Sequence, residues 1–551
     1  MTARRLATVT VATAICVGLA GPAAAAQPTS GSDAPVGVIV RELPGSGDRP
    51  ERAVQAFGGT VSRQLSIIGA FTASVPRDRL AALRAVPGVD SVTEDGSLEL
   101  ADAEVEQQSA QPGSLYTIAN EVTGASTMWD AGYTGKGIDV AVIDSGVVPV
   151  EGLRNPGKVV NGPDLTLENG TPARNLDTYG HGTHMAGIIA GRDSGTGSVS
   201  GNSAQFVGMA PDARIVSIKV ADAKGQTDVS QAIAAIDWVV QNRNKNGLNI
   251  RVLNMSFGTD GVQDYLLDPL AFAAEQAWHK GIVVVVAVGN EGFGTGKVNN
   301  PAYNPYLIAV GSNSANGTAT TADDTVSAFS NDGDGTRNPD VVAPGDRVVS
   351  LRSPGSHLDT SYPQARIGER LFRGSGTSQA AAVVSGAAAL LLQQRPNARP
   401  DQVKALLMGT AAPLPGATAA QQGSGLIDLA AARTANTPNA VQSFRLSTGA
   451  GSLEASRGSV HVTVNGRQVR GEVDVRGRTF SARNWAAGLR SGTNWSGMSW
   501  SGMSWSGMSW SGMSWSGMSW SGMSWSGMSW SGMSWSGMSW SGMSWSGTDW
   551  A

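Results

Sequence analysis

Residues Ile138-Asp139-Val140-Ala141-Val142-Ile143-Asp144-Ser145-Gly146 read as an apolar strand that ends in an acid and a glycine turn. Apolar runs without alternation suit parallel strands buried on both faces. Four more follow, at Ile215–Val220, Val252–Met255, Ile282–Val288 and Leu307–Val310. Helical stretches separate them, and in one of these Val229, Ile233, Ile236 and Val240 share a face. This alternation predicts an α/β fold in which a mainly parallel sheet lies between layers of helices. Such sheets build their sites at the carboxyl ends of strands, where Asp144 and Asn290 fall.

Two further glycine-flanked segments carry reactive side chains: Gly180-His181-Gly182-Thr183-His184 and Gly376-Thr377-Ser378. A serine hydroxyl is too weak an acid to attack a carbonyl at neutral pH. An imidazole must take its proton, and a carboxylate must fix the tautomer of that imidazole and offset its charge. Asp144, His181 and Ser378 supply the three groups. Their order along the chain differs from the His-Asp-Ser and Ser-Asp-His orders of other hydrolase folds. No His-Glu-x-x-His occurs, so His181 and His184 do not read as a zinc pair. His184, one turn after His181, reads as structural.

The chain has 551 residues, and a hydrophobic share of 41% is enough for a sizeable core. A net charge of -4 gives no electrostatic case for a nucleic-acid partner. Arg4-Arg5, the apolar stretch Leu6–Ala20 and Ala24-Ala25-Ala26 read as a signal peptide over 1–26. The only cysteine, Cys16, lies inside it, so the remaining chain has no thiol chemistry. No later stretch is long and apolar enough to be read as a transmembrane segment. The expected destination is outside the cell, with retention at the wall as a variant.

Residues 27–112 read as a small α+β module followed by an acidic, glutamine-rich linker. Its expected strands are Val38–Val40, Ala70–Val75 and Val89–Val92, with a helix over Arg77–Ala85. Residues 113–434 hold the α/β pattern. In 435–490, Val460, Val462 and Val464 alternate up to Asn465-Gly466, followed by Val469, Val473 and Val475. This predicts a hairpin in a small β appendage. Residues 491–551 repeat Ser-Gly-Met-Ser-Trp, whose period of five gathers no tryptophan face in a helix or strand. The composition reads as a flexible low-complexity tail, with aromatic faces able to stack on sugars.

The segments around the three reactive residues resemble those of the subtilisin-like serine proteases (subtilases). The resemblance extends through Gly208-Met209-Ala210-Pro211, Asn254-Met255-Ser256-Phe257-Gly258, Ala287-Val288-Gly289-Asn290-Glu291-Gly292 and Ala343-Pro344-Gly345. It implies that Ser378 attacks, that His181 serves as base and then acid, and that Asp144 orients it. It implies that Asn290 donates to the oxyanion with the N–H of Ser378. Ser256, Phe257, Gly258 and Gly289 are implied to bind an extended protein or peptide substrate. Residues 37–100 resemble the family's inhibitory propeptide, which implies a self-processing zymogen. The resemblance implies no required cofactor. Calcium is a common structural ion in the family; Asp193, Asn202 and Asp222 sit in suitable loops without a dense ligand pattern, so no metal ligand is assigned.

Asp177 fits either a position near the cleft or a surface turn, and Glu291 either the specificity pocket or solvent. After Ser378 the family usually continues Met-Ala-Ser/Thr-Pro-His-Val, whereas this chain has Gln379-Ala380-Ala381-Ala382-Val383-Val384. The departure implies different packing around the nucleophile's helix, with activity retained. The competing expectation is a non-catalytic surface-binding or wall-binding protein that acts through its tryptophan-rich tail.

Overall fold

The computed structural model describes residues 35–94 (without 44 and 66–69) and 113–491 (without 198, 200–204, 317 and 319), which divide between two units. The signal peptide, the linker, Asn202 and the repeat from 492 onward lie outside the described residues.

The first unit is a four-stranded antiparallel sheet. Its strands are β1 (Pro35–Glu42), β2 (Thr60–Leu65), β3 (Ala70–Pro76) and β4 (Val89–Glu94), in the order β2-β3-β1-β4. Helices Arg49–Ala56 and Leu80–Arg84 pack on it, and Val38, Val40, Val54, Phe71, Val75 and Leu83 form the core. The expected helix over Arg77–Ala85 begins as a 3-10 turn, Arg77–Arg79. Helix Arg49–Ala56, which buries Pro50 and Val54, and β2 lie outside the elements expected from the sequence.

The second unit is built on an eight-stranded sheet. Its strands are β5 (Asp139–Asp144), β6 (Val159–Asp164), β7 (Arg214–Lys219), β8 (Ile250–Met255), β9 (Val283–Ala287), β10 (Ile308–Ser314), β11 (Thr325–Val326) and β12 (Val341–Pro344). They run β11-β10-β9-β8-β5-β7-β6, with β12 also on β10. Every pair is parallel except β10 with β11. β6 was not expected, since Asn161-Gly162-Pro163 reads as a turn. It pairs only with β7, and an edge tolerates proline.

The first strand of this sheet, β5, lies inside it. The chain moves from β5 to β7 and β6 on one side, then from β8 to β10 on the other. The order therefore reverses between β5 and β8, where open α/β sheets form a crevice beyond their carboxyl ends. Four helices matter to that crevice: α1 (His181–Ala190), α2 (Val229–Asn242), α3 (Pro269–His279) and α4 (Thr377–Gln394). Val229, Ile233 and Ile236 are buried on α2 as expected, with Val240 half-buried. α4 is buried from Thr377 to Leu392 and packs on α1, β8, β9 and β10. A helix buried all round must be built of small and apolar residues. At Gly386 a Cβ would stand 2.4 Å from the Cβ of Met209, so that crossing needs glycine.

The hairpin in the extension forms at Asn465-Gly466, both with positive φ, but each strand is two residues long. Helices Leu453–Arg457 and Ala482–Ser491 and extended chain make up much of the rest. The run from Val469 to Val475 is held by side chains instead, with the guanidinium of Arg457 donating to the carbonyls of Gly471 and Val473.

Candidate active site

Asp144 ends β5, and its buried carboxylate meets His181 at the first turn of α1. The distances from His181 Nδ1 are 2.8 Å to Oδ1 and 2.9 Å to Oδ2. A carboxylate only accepts, so Nδ1 carries the proton and Nε2 presents the lone pair of a base. The N–H of Ser145 also donates to Asp144 Oδ1, at 2.7 Å, which fixes the carboxylate plane.

Asp177 locks α1 in place. Its Oδ1 accepts the Ser145 hydroxyl at 2.7 Å and the N–H of Gly180 at 2.6 Å, and its Oδ2 accepts the N–H of Thr183 at 2.7 Å. These N–H groups include the otherwise unpaired donors of a helix start. Asp177 is 2% exposed, which corrects its reading as a surface turn, and burial raises its carboxyl pKa. His184 is structural as expected. Its Nε2–H donates to the Phe372 carbonyl at 3.1 Å, and burial, helped by His181, lowers its pKa to about 3.

Ser378 is the second residue of α4, where its own N–H lies beyond reach of any preceding helical carbonyl. Its hydroxyl donates to the Ser256 carbonyl at 2.8 Å, and the Ser256 hydroxyl donates to the Ser378 carbonyl at 3.1 Å. One rotamer step about Cα–Cβ re-aims the Ser378 hydroxyl. Ser256, Phe257 and Gly258 continue β8 and are buried. β8 lies beside β5 in parallel, with Val142 opposite Asn254, so Asp144 and Ser256 each stand two residues past a paired position at the same end of the sheet.

Asn290 follows β9, the next strand over. Its Oδ1 accepts the N–H of Thr377 at 3.0 Å and the Thr377 hydroxyl at 2.9 Å. A backbone N–H must donate, so the amide orientation is fixed and Nδ2 faces the other way. Nδ2 is buried and has no partner among the described residues. Gly289 has φ +117°, and a Cβ there would lie 2.5 Å from Asn331 Nδ2 and 2.6 Å from Glu291 Oε2. Only glycine fits. Glu291 is exposed, and its carboxylate accepts from Asn299 Nδ2 at 3.0 Å. Thr377 and Ser145, which aim Asn290 and Asp144, lie inside the sequence motifs, yet nothing in those motifs signals the role.

Among the described residues no group of three or more His, Cys, Asp or Glu is arranged to hold a metal. Asp193 is paired with Arg370 at 2.5 Å, and Asp222 accepts the N–H groups of Lys224 and Gln226. Among the described residues no helix is long and apolar enough to cross a membrane.

The model for the subtilase family matches residues 135–451, and a model for a peptidase inhibitor domain matches residues 17–95. Serine protease AprX of Bacillus subtilis is 39% identical over 280 residues, which are 50% of this chain and 61% of AprX. The chain thus spans less than two thirds of that relative. Subtilisin E of Bacillus subtilis is 31% identical over 396 residues, which are 70% of this chain and 86% of subtilisin E. The crystal structure of fervidolysin from Fervidobacterium pennivorans, a keratinolytic enzyme related to subtilisin, aligns at 24% identity and a TM-score of 0.46, covering 75% of this chain and 63% of that one. With the family model spanning more than half of the sequence and the chain covering 86% of subtilisin E at 31% identity, this protein belongs to the subtilase family.

Proposed function

We propose that the chain is a secreted serine endopeptidase that cleaves protein or peptide substrates and is made as a self-processing zymogen. The observation that supports this reading is three bonded pairs at the carboxyl ends of β5, β8 and β9: Asp144 with His181, Ser256 with Ser378, and Thr377 with Asn290.

The chemistry follows from these atoms. A peptide lies extended along Ser256–Gly258 and adds to it as a strand. His181 Nε2 takes the hydroxyl proton as Ser378 Oγ bonds to the scissile carbon. Asp144 holds Nδ1–H and offsets the imidazolium charge. The carbonyl oxygen gains negative charge and is met by Asn290 Nδ2 and the N–H of Ser378. The tetrahedral centre collapses, His181 returns the proton to the departing amine, and an acyl-Ser378 ester remains. Water, deprotonated by His181, then releases the acid and restores the serine. No step uses a cofactor.

The zymogen reading rests on the inhibitor-domain match at residues 17–95. The chain's own first unit is proposed as the inhibitor, cut away by the enzyme itself between about Leu100 and Tyr116. Secretion rests on the signal-like residues 1–26, and wall or glycan retention on the tail 491–551. The test is to incubate the purified protein and its Ser378→Ala form with a denatured protein and map new termini by mass spectrometry. The parent should yield new internal termini, whereas Ser378→Ala should yield none and should accumulate as the uncut chain. Equal cleavage by Ser378→Ala contradicts the enzyme assignment. Normal maturation of that variant assigns the cutting to another protease.

A further inference from the structure

We propose that the segment Leu453–Ser459 of the C-terminal extension is a positioning element for substrate. It braces the strand Ser256–Gly258 from behind and so sets affinity for the residues before the scissile bond. The proposal rests on the endopeptidase reading above. The segment lies beyond residue 451, where the family match ends.

The brace grips the residues that directly follow the strand. The hydroxyl of Thr259 donates to the Ser456 carbonyl at 2.6 Å. Thr259 also exchanges both backbone hydrogen bonds with Asn300, each at 2.9 Å, and Asn300 Nδ2 donates to the Ser456 hydroxyl at 3.1 Å. The next residue, Asp260, accepts the N–H of Ser459 at 2.8 Å and its hydroxyl at 2.5 Å. The fit leaves no room for a methyl group. A Cβ on Gly458 would stand 1.9 Å from Asp260 Oδ1 and 2.7 Å from the Gly261 nitrogen, and φ there is +74°.

An ion pair anchors the brace. Arg457 Nε donates to Asp228 Oδ2 at 2.7 Å, and both side chains are 1% exposed. Its two terminal nitrogens are spent on Glu454, on the carbonyls of Gly471 and Val473, and again on Asp228. Asp228 in turn caps α2 through the N–H of Ser230. A fully bonded buried pair specifies one geometry, and losing a partner leaves a buried charge unmatched. The strand end is therefore tied through one guanidinium to the start of α2.

A strand that receives a peptide returns binding energy only if its hydrogen-bonding groups are held in place beforehand. A substrate too short to lie along Ser256–Gly258 draws nothing from that order. The effect should therefore appear as a KM that depends on substrate length.

The test compares Gly458→Ala and Ser459→Ala in the full chain on two substrates: a peptide anilide with four residues before the cut, and a single-residue ester. Gly458→Ala should raise KM for the four-residue substrate by about tenfold, leave its kcat within about twofold, and leave the ester unchanged. Ser459→Ala removes one exposed hydroxyl and should move the same KM by about twofold to threefold. It carries the test alone if Gly458→Ala does not fold. A lower Tm with unchanged KM, or equal changes on both substrates, overturns the brace and leaves the peptidase reading intact. A parent protein that cleaves neither substrate overturns both.

Discussion

Asn290 has one amide with two ends, and only one is free to act. Thr377 holds the oxygen through its N–H and its hydroxyl, which leaves Nδ2 buried and unpartnered. A buried donor without an acceptor costs about 1–3 kcal/mol, so it is kept where something must be received there. Asn290→Ala should lower kcat by about 100- to 1000-fold with KM little changed, a magnitude taken from subtilisin itself. Steady-state kinetics check this, and a loss confined to KM would contradict it. His184 makes a second prediction at this scale. Unfolded, its imidazole gains a proton below its ordinary 6.5; folded, burial keeps it neutral down to about 3. Across that window the unfolded chain holds the extra proton, so stability falls as pH falls, by about 1.4 kcal/mol per pH unit. His184→Gln should flatten that slope in urea unfolding between about pH 4 and 7, read in a Ser378→Ala background to prevent self-cleavage. Parallel slopes for the two proteins would contradict it. The residues proposed as reactive stand out in the sequence because each sits in a short glycine-flanked motif. The residues that aim them were not. Thr377 acts on a partner 87 positions away and Asp177 on one 32 away, and no local pattern records such pairs.

Strands buried on both faces announce themselves as unbroken apolar runs, which is why β5, β7, β8, β9 and β10 could be read directly. Edge strand β6 carries Asn-Gly-Pro and could not be. The alternation in 460–475 pointed to a β appendage, yet the ladder is two residues long on each side, and Arg457 holds the carbonyls of Gly471 and Val473. α4 shows a third relation between pattern and structure. Alanines and a glycine let it run through the core, and Gln379 follows the proposed nucleophile Ser378, where the family resemblance implies methionine. A primary amide has no thioether to oxidise. Peroxide should therefore inactivate the enzyme slowly in a chain shortened by residues 492–551, which removes the methionine-rich repeat. Residual activity followed over time checks this, and rapid loss would contradict it.

At the scale of the molecule, the chain combines an inhibitor-like unit, an α/β unit with its extension, and a repeat of tryptophans. The single break between the two units falls in the acidic linker, a composition shift that the sequence shows directly. The integration of the extension into the α/β unit was not visible, because it rests on distant contacts such as Arg457 with Asp228, Ser447 with Glu275 and Trp485 with Phe272, which no sequence period signals. Retention by cell-wall glycans should fall when 491–551 is removed, and equal pulldown of both forms would leave the tail without that role. The account as a whole depends on Ser378 being activated by His181. A fluorophosphonate probe, which reacts with an activated serine and spares ordinary hydroxyls, tests this most directly. The processed protein should be labelled at Ser378 alone, with labelling lost in His181→Ala. No labelling of the processed parent, or undiminished labelling of His181→Ala, would contradict the account.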